Sequence, residues 1–123
     1  SANYDNLTMW LNSIAIKFDM IILTECHIQS SLLDSKMFEK MYPITGYNKF
    51  YVFSIIKYGG VIIYVKDHFE CIPITKCNIS NNCCDSLFLQ VYKNSKNPVI
   101  IGGIYRHCRK KSDEIITFIR YLD

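Results

Sequence analysis

The sequence predicts an α/β fold: a partial layered β-sandwich, mostly antiparallel, flanked by helices. Three observations predict it. Several apolar or alternating runs, at 20–23, 47–53, 61–65, 86–92 and 99–105, have the length of strands and are bounded by Gly, Pro, Asn or Asp. Most are joined by links too short for a parallel crossover, so antiparallel pairing dominates. Amphipathic patterns of helical period lie at both ends, where they would cover a sheet. The 123 residues suffice for a single domain, 1–123, with a core of its own.

Asp5 is placed to cap a first helix, with Leu7, Trp10, Leu11, Ile14 and Ala15 on one face and Trp10 read as core. Lys17-Phe18-Asp19 then leads into Met20-Ile21-Ile22-Leu23, an unbroken apolar run that reads as a strand buried on both faces. Residues 36–41 can hold a helical turn before Pro43 and Gly46 break the chain. Residues 47–53 and 61–65 form a β-hairpin, with Lys57-Tyr58-Gly59-Gly60 as its turn, because paired glycines allow positive φ. Residues 71–76 make a short strand that Pro73 confines to an edge. A polar loop is expected at 78–82. In 86–92, Leu87, Leu89 and Val91 share one face and Phe88, Gln90 and Tyr92 the other. A second buried strand is expected at 99–105. Ser112 caps a final helix with Asp113 and Glu114 in its first turn, and Ile115, Ile116, Phe118, Ile119 and Leu122 bury one side.

Composition narrows the classes of function. Half of the residues are hydrophobic and mean hydropathy is +0.07, which excludes a disordered chain. A net charge of +3 is too small by itself to predict a nucleic-acid partner. No apolar stretch could span a bilayer, so no membrane partner is expected, and no signal peptide follows Ser1. The six cysteines include no C-x-x-C pair, and Cys83-Cys84 is vicinal. They read as free thiols of a reducing, intracellular compartment, cytoplasmic or nuclear. A zinc site from Cys26, His27, His107 and Cys108 lacks finger-like spacing.

Two runs end in groups able to do chemistry: Glu25 with His27, and Tyr105 with Arg106 and His107. Strand ends are where α/β sheets place their sites. A lone carboxylate suits a hard cation such as magnesium, which takes oxygen ligands and keeps several waters. A tyrosine hydroxyl beside it can donate to a phosphate oxygen or a leaving group. The plain alternatives are a solvated strand-end carboxylate and a half-buried aromatic. Lys66-Asp67-His68 reads as a solvated turn, and 106–111 as either an exposed basic loop or a phosphate contact. Cys26 and His27 are neighbours on an extended chain and point to opposite faces, so they do not form a nucleophile pair.

Five stretches in order carry a resemblance: Asp5-Asn6-Leu7 with Phe18-Asp19-Met20-Ile21-Ile22-Leu23-Thr24-Glu25; Gly46-Tyr47 with Phe50; Gly59-Gly60-Val61-Ile62-Ile63-Tyr64-Val65; Asp85-Ser86-Leu87-Phe88-Leu89; and Ile101-Gly102-Gly103-Ile104-Tyr105-Arg106-His107. Together they resemble the endonuclease/exonuclease/phosphatase superfamily, and more narrowly the endonuclease domain of non-LTR retrotransposons. The resemblance implies a DNase I-like sandwich and a magnesium- or manganese-dependent cut of a DNA phosphodiester by water. It implies Glu25 as a metal ligand and Tyr105 as a catalytic contact to the scissile phosphate region, with His27 and Arg106 as possible phosphate or DNA contacts. The family's opening strand with its metal-site Asn, its Gly-Asp-x-Asn motif and its Ser-Asp-His motif do not occur in this sequence. None of the three histidines stands in the last context. The resemblance therefore implies the N-terminal half of a nuclease domain, inactive or nearly so alone, with an exposed sheet through which it self-associates. Two rivals remain: a degenerate module that binds nucleic acid or protein, and a phosphatase or phosphodiesterase of the same superfamily.

Overall fold

The computed structural model describes residues 5–6, 9–10, 18–31, 34–94 and 96–107. It contains two packed, mostly antiparallel sheets and few helices, the layered sandwich expected. The strands are β1 (Met20–Thr24), β2 (Tyr47–Val52), β3 (Val61–Lys66), β4 (Glu70–Pro73), β5 (Ile79–Ser80), β6 (Cys84–Tyr92) and β7 (Val99–Arg106). The first sheet runs β1-β3-β2. In the second, β6 pairs with β4 and β5 along one edge and with β7 along the other. Asp5, Asn6, Met9 and Trp10 are helical. Leu7, Leu11, Ile14 and Ala15, and the whole expected helix after Ser112, lie outside the described residues.

β3 is the central element. Alternation sends Val61, Ile63 and Val65 to one face and Ile62 and Tyr64 to the other, and all five are buried. The first three meet Leu87, Leu89 and Val91 of β6 between the sheets. The other two meet Ile28, Phe38 and Ile44 in a second core on the outer side of the first sheet. That core is closed by α1 (Ser35–Phe38). Asp34 caps it by accepting from the Lys36 amide at 2.9 Å. The Lys49 ammonium donates to the carbonyls of Phe38 and Met41 at its other end and lies 4.3 Å over the Phe38 ring.

Several expectations are corrected. The run at 20–23 is not buried on both faces. Among the described residues, β1 pairs only with β3, and Ile22 is 42 % exposed at the margin of the sandwich. β7 is not a buried strand either: among the described residues it pairs only with β6, and Ile100 is 61 % exposed. Trp10 is half exposed and stacks on Phe18 at 5.5 Å, so it is not core. The polar stretch at 78–82 contains β5. Asn81 builds the tight turn after it, its Oδ1 accepting from the amides of Cys83 and Cys84 at 2.7 and 3.0 Å. The hairpin of β2 and β3 and the faces of β6 are as expected. Among the described residues, β4 pairs only with β6, and it ends at Pro73, an edge strand.

One glycine sets how the sheets meet near the site. A Cβ on Gly103 of β7 would stand 2.8 Å from Ile22 Cγ2 and 3.0 Å from Val61 Cγ1. The missing side chain lets β1 and β3 approach β7 closely. That approach carries the end of β1 to the end of β7.

Candidate active site

Glu25 is the first residue past β1, and Tyr105 is the penultimate residue of β7. The Tyr105 hydroxyl donates to Glu25 Oε1 at 3.2 Å on the exposed rim of the sandwich. Two residues eighty positions apart, singled out at two strand ends, thus meet across the sheets. The backbone at this rim is unusual: Glu25 has φ 53° and His27 φ 57°. Non-glycine residues in the left-handed region carry a cost of about 1 kcal/mol or more and persist only where neighbours hold them. The holding contacts are visible. The Cys26 amide donates to the Gly60 carbonyl at 3.4 Å and the Ile28 amide to the Gly59 carbonyl at 3.2 Å.

The other proposed contacts are placed apart. The His27 ring packs edge-on against Tyr58, with centroids 5.1 Å apart. Arg106 is exposed, and as the residue after Tyr105 in the strand it points to the opposite face of the sheet. Burial pushes the Cys26 thiol up to about 12, and its Sγ donates to the Leu23 carbonyl at 3.3 Å. Such a thiol is not a nucleophile at neutral pH. Cys26, Cys71, Cys77 and Cys84 are free thiols. The zinc combination is not assembled: His27 leans on Tyr58, His107 is engaged elsewhere, and Cys108 lies outside the described residues.

Sequence reasoning missed the most buried polar cluster. Asp85, at the start of β6, is fully buried. Its Oδ1 accepts from Ser80 Oγ at 2.8 Å and its Oδ2 from the Gly60 amide at 3.0 Å. His107 Nε2 lies 3.0 Å from the same Oδ2, and His107 Nδ1 lies 3.2 Å from the Asn82 carbonyl oxygen. His107 is 1 % exposed. The imidazole is thus held by oxygen on both sides, the Asp85 carboxyl and the Asn82 carbonyl. The glycine pair before β3 belongs to this cluster. Only Gly60 has positive φ, +107°. Gly59 is required for space: a Cβ there would stand 2.1 Å from Ser54 Oγ and 2.4 Å from Asp85 Oδ2. The signal available in the sequence was an acidic residue on the same alternation as the apolar Leu87, Leu89 and Val91.

Among the described residues, no cluster of three or more His, Cys, Asp or Glu could hold a metal ion. The rim offers one carboxylate with a hydroxyl beside it, oxygen donors of the kind a hard cation accepts while keeping most of its waters. Among the described residues, no helix is long and apolar enough to cross a membrane. No protein-family model matches the chain, and no curated protein matches it.

Proposed function

We propose that the chain carries the Glu and Tyr portion of a magnesium-dependent DNA endonuclease site, of the kind found in non-LTR retrotransposon endonucleases of the endonuclease/exonuclease/phosphatase superfamily. The observation that supports it is the 3.2 Å hydrogen bond from Tyr105 to Glu25. The reading rests on that contact and on the ordered motifs around it, from Thr24-Glu25 to Tyr105-Arg106-His107. Glu25 would hold the ion, magnesium or manganese, which when bound polarises a phosphodiester and offsets the charge built on displacement. Tyr105 would donate to a phosphate oxygen. Its present acceptor, the Glu25 side-chain oxygen, supports that reading of the hydroxyl as a donor to oxygen. His27 and Arg106 would make outer contacts to phosphate.

The groups that would activate water, in the Gly-Asp-x-Asn and Ser-Asp-His motifs, do not occur in this sequence. Residues of this sort act as a unit, so the isolated chain is expected to cut at background rate. Plasmid nicking with magnesium tests this. Background nicking is expected, and magnesium-dependent nicking lost in Glu25→Ala would overturn it. Manganese binding, read by line broadening at Glu25 and Tyr105, tests the inherited metal role directly.

A second reading is a non-enzymatic module that binds nucleic acid or protein, favoured by the absence, among the described residues, of a cluster of three or more His, Cys, Asp or Glu that could hold a metal ion. Weak, salt-sensitive DNA affinity without manganese binding would favour it. Self-association belongs to either reading. The outer face of the second sheet carries an apolar hollow lined by Ile74, Ile79, Phe88 and Ile100. Light scattering that finds only monomer, with no binding of a hydrophobic dye, would remove it.

A further inference from the structure

We propose that Asp85 and His107 are a buried positioning unit, whose role is to hold Glu25 and Tyr105 within hydrogen-bond distance of each other. The inference rests on the reading of that pair as a metal and phosphate site.

Each partner of Asp85 leads to a different part of the rim. Through Gly60 it reaches the first sheet. The Gly60 amide donates to Asp85 Oδ2, while the Gly60 and Gly59 carbonyls accept from Cys26 and Ile28. Each of those amides directly follows a left-handed residue, Glu25 before Cys26 and His27 before Ile28. Through His107 it reaches the end of β7. The His107 amide donates to the Cys83 carbonyl at 2.9 Å, and the ring is held between Asp85 and Asn82. Tyr105, two residues earlier, stands directly opposite Asp85 in the β6–β7 register. Ser80 on β5 steadies the remaining oxygen of the carboxylate. One side chain therefore ties the entry of β3, and so the Glu25 turn, to the strand end that carries Tyr105.

Stability alone is a poor account of this arrangement. Burying a carboxylate is costly, and a buried ion pair is often no more stabilising than apolar residues of the same volume. The same two sheets are already joined by apolar contacts, Val61, Ile63 and Val65 against Leu87, Leu89 and Val91. Hydrogen bonds add direction and length, which apolar contacts do not fix. Glu25 is exposed, and the turn that carries it is tied to the Gly59 and Gly60 carbonyls through the Cys26 and Ile28 amides, so hydrogen-bond direction at Gly60 bears on where Glu25 stands.

The test is the nuclear Overhauser cross-peak between the Tyr105 ring and the Glu25 side chain in the full, isotopically labelled chain. Asp85→Asn and His107→Gln keep size and remove charge or ring. Val91→Ala, in the same strand at the far end of the core, lowers stability without touching the unit. The expected result is loss of the cross-peak in the first two variants and its retention in Val91→Ala. A folded Asp85→Asn or His107→Gln that keeps the cross-peak overturns the proposal, as does its loss in Val91→Ala. If neither substitution folds, Ser80→Ala decides, because it removes one hydrogen bond to the carboxylate and leaves the charge: a weakened cross-peak supports the unit and an undiminished one overturns it. Manganese titration of the unmodified chain judges the metal reading separately. Absence of broadening at Glu25 and Tyr105 would overturn that reading, and the cross-peak would still decide the positioning unit.

Discussion

Glu25 and Tyr105 meet at 3.2 Å in the open, whereas Asp85 and His107 meet at 3.0 Å with exposures of 0 % and 1 %. Both pairs lie at the same end of the sandwich, and Tyr105 sits opposite Asp85 in register. Water competes for the hydrogen bond between the first pair, so that bond contributes little to stability and the Glu25 carboxyl stays accessible to a ligand. Water is excluded from the second, so its partners are committed and losing any of them is expensive. Exposed groups at a strand end are available for chemistry. Buried groups behind them decide where the exposed ones stand.

The largest effect that could break this comparison is at Asp85. Asp85→Ala leaves the Gly60 amide, Ser80 hydroxyl and His107 ring without their acceptor, and should cost about 3–5 kcal/mol by urea unfolding. A loss within experimental scatter would mean the cluster is hydrated after all. Next is Gly59→Ala, whose Cβ would collide with Ser54 and Asp85. It should cost about 1–3 kcal/mol, as overpacking does, and the unfolding midpoint reads it.

The rim should behave in the opposite sense. Glu25→Gly relieves a left-handed residue, offset by the greater freedom of an unfolded glycine. Stability should stay level or rise by up to about 1 kcal/mol while manganese broadening disappears. A clear loss of stability would show that Glu25 is a structural residue. Tyr105→Phe should change stability by about 0.5 kcal/mol or less, since its hydrogen bond to Glu25 is exposed, and a calorimetric Tm would register little.

The smallest effect lies away from both pairs. Lys93 and Lys66 hydrogen-bond the Asp19 carboxyl and hold its pKa below the usual 3.8. A carboxyl lowered in the folded state contributes stability above its unfolded pKa and loses it as pH falls through the folded one. Unfolding midpoints should therefore slope downward below about pH 4, less steeply in Asp19→Asn.

Much of this was readable along the chain. The two-residue period of 86–92 predicted which of its side chains face the core, because alternation is imposed by the pleat itself. Pro73 predicted an edge, because it cannot donate to a ladder. Glu25 and Tyr105 were found because strand ends are where polar groups can leave an apolar layer. Burial of whole strands was not readable. Met20-Ile21-Ile22-Leu23 and Val61-Ile62-Ile63-Tyr64-Val65 are alike in composition, yet β1 lies at a margin and β3 has a sheet on one face and the 28–44 segment on the other. Neighbours decide that, and they come from elsewhere in the chain.

By itself, the sequence determined the longer strands, though not β5, and their mostly antiparallel pairing, since these follow from local periodicity and turn residues. Only the tertiary structure decided that β3 is the centre, that a bare Gly103 brings β1 onto β7, and that Asp85 gathers Gly60, Ser80 and His107. Each of those depends on approach between residues tens of positions apart. A buried carboxylate cannot be told from a solvated one until its partners are in place.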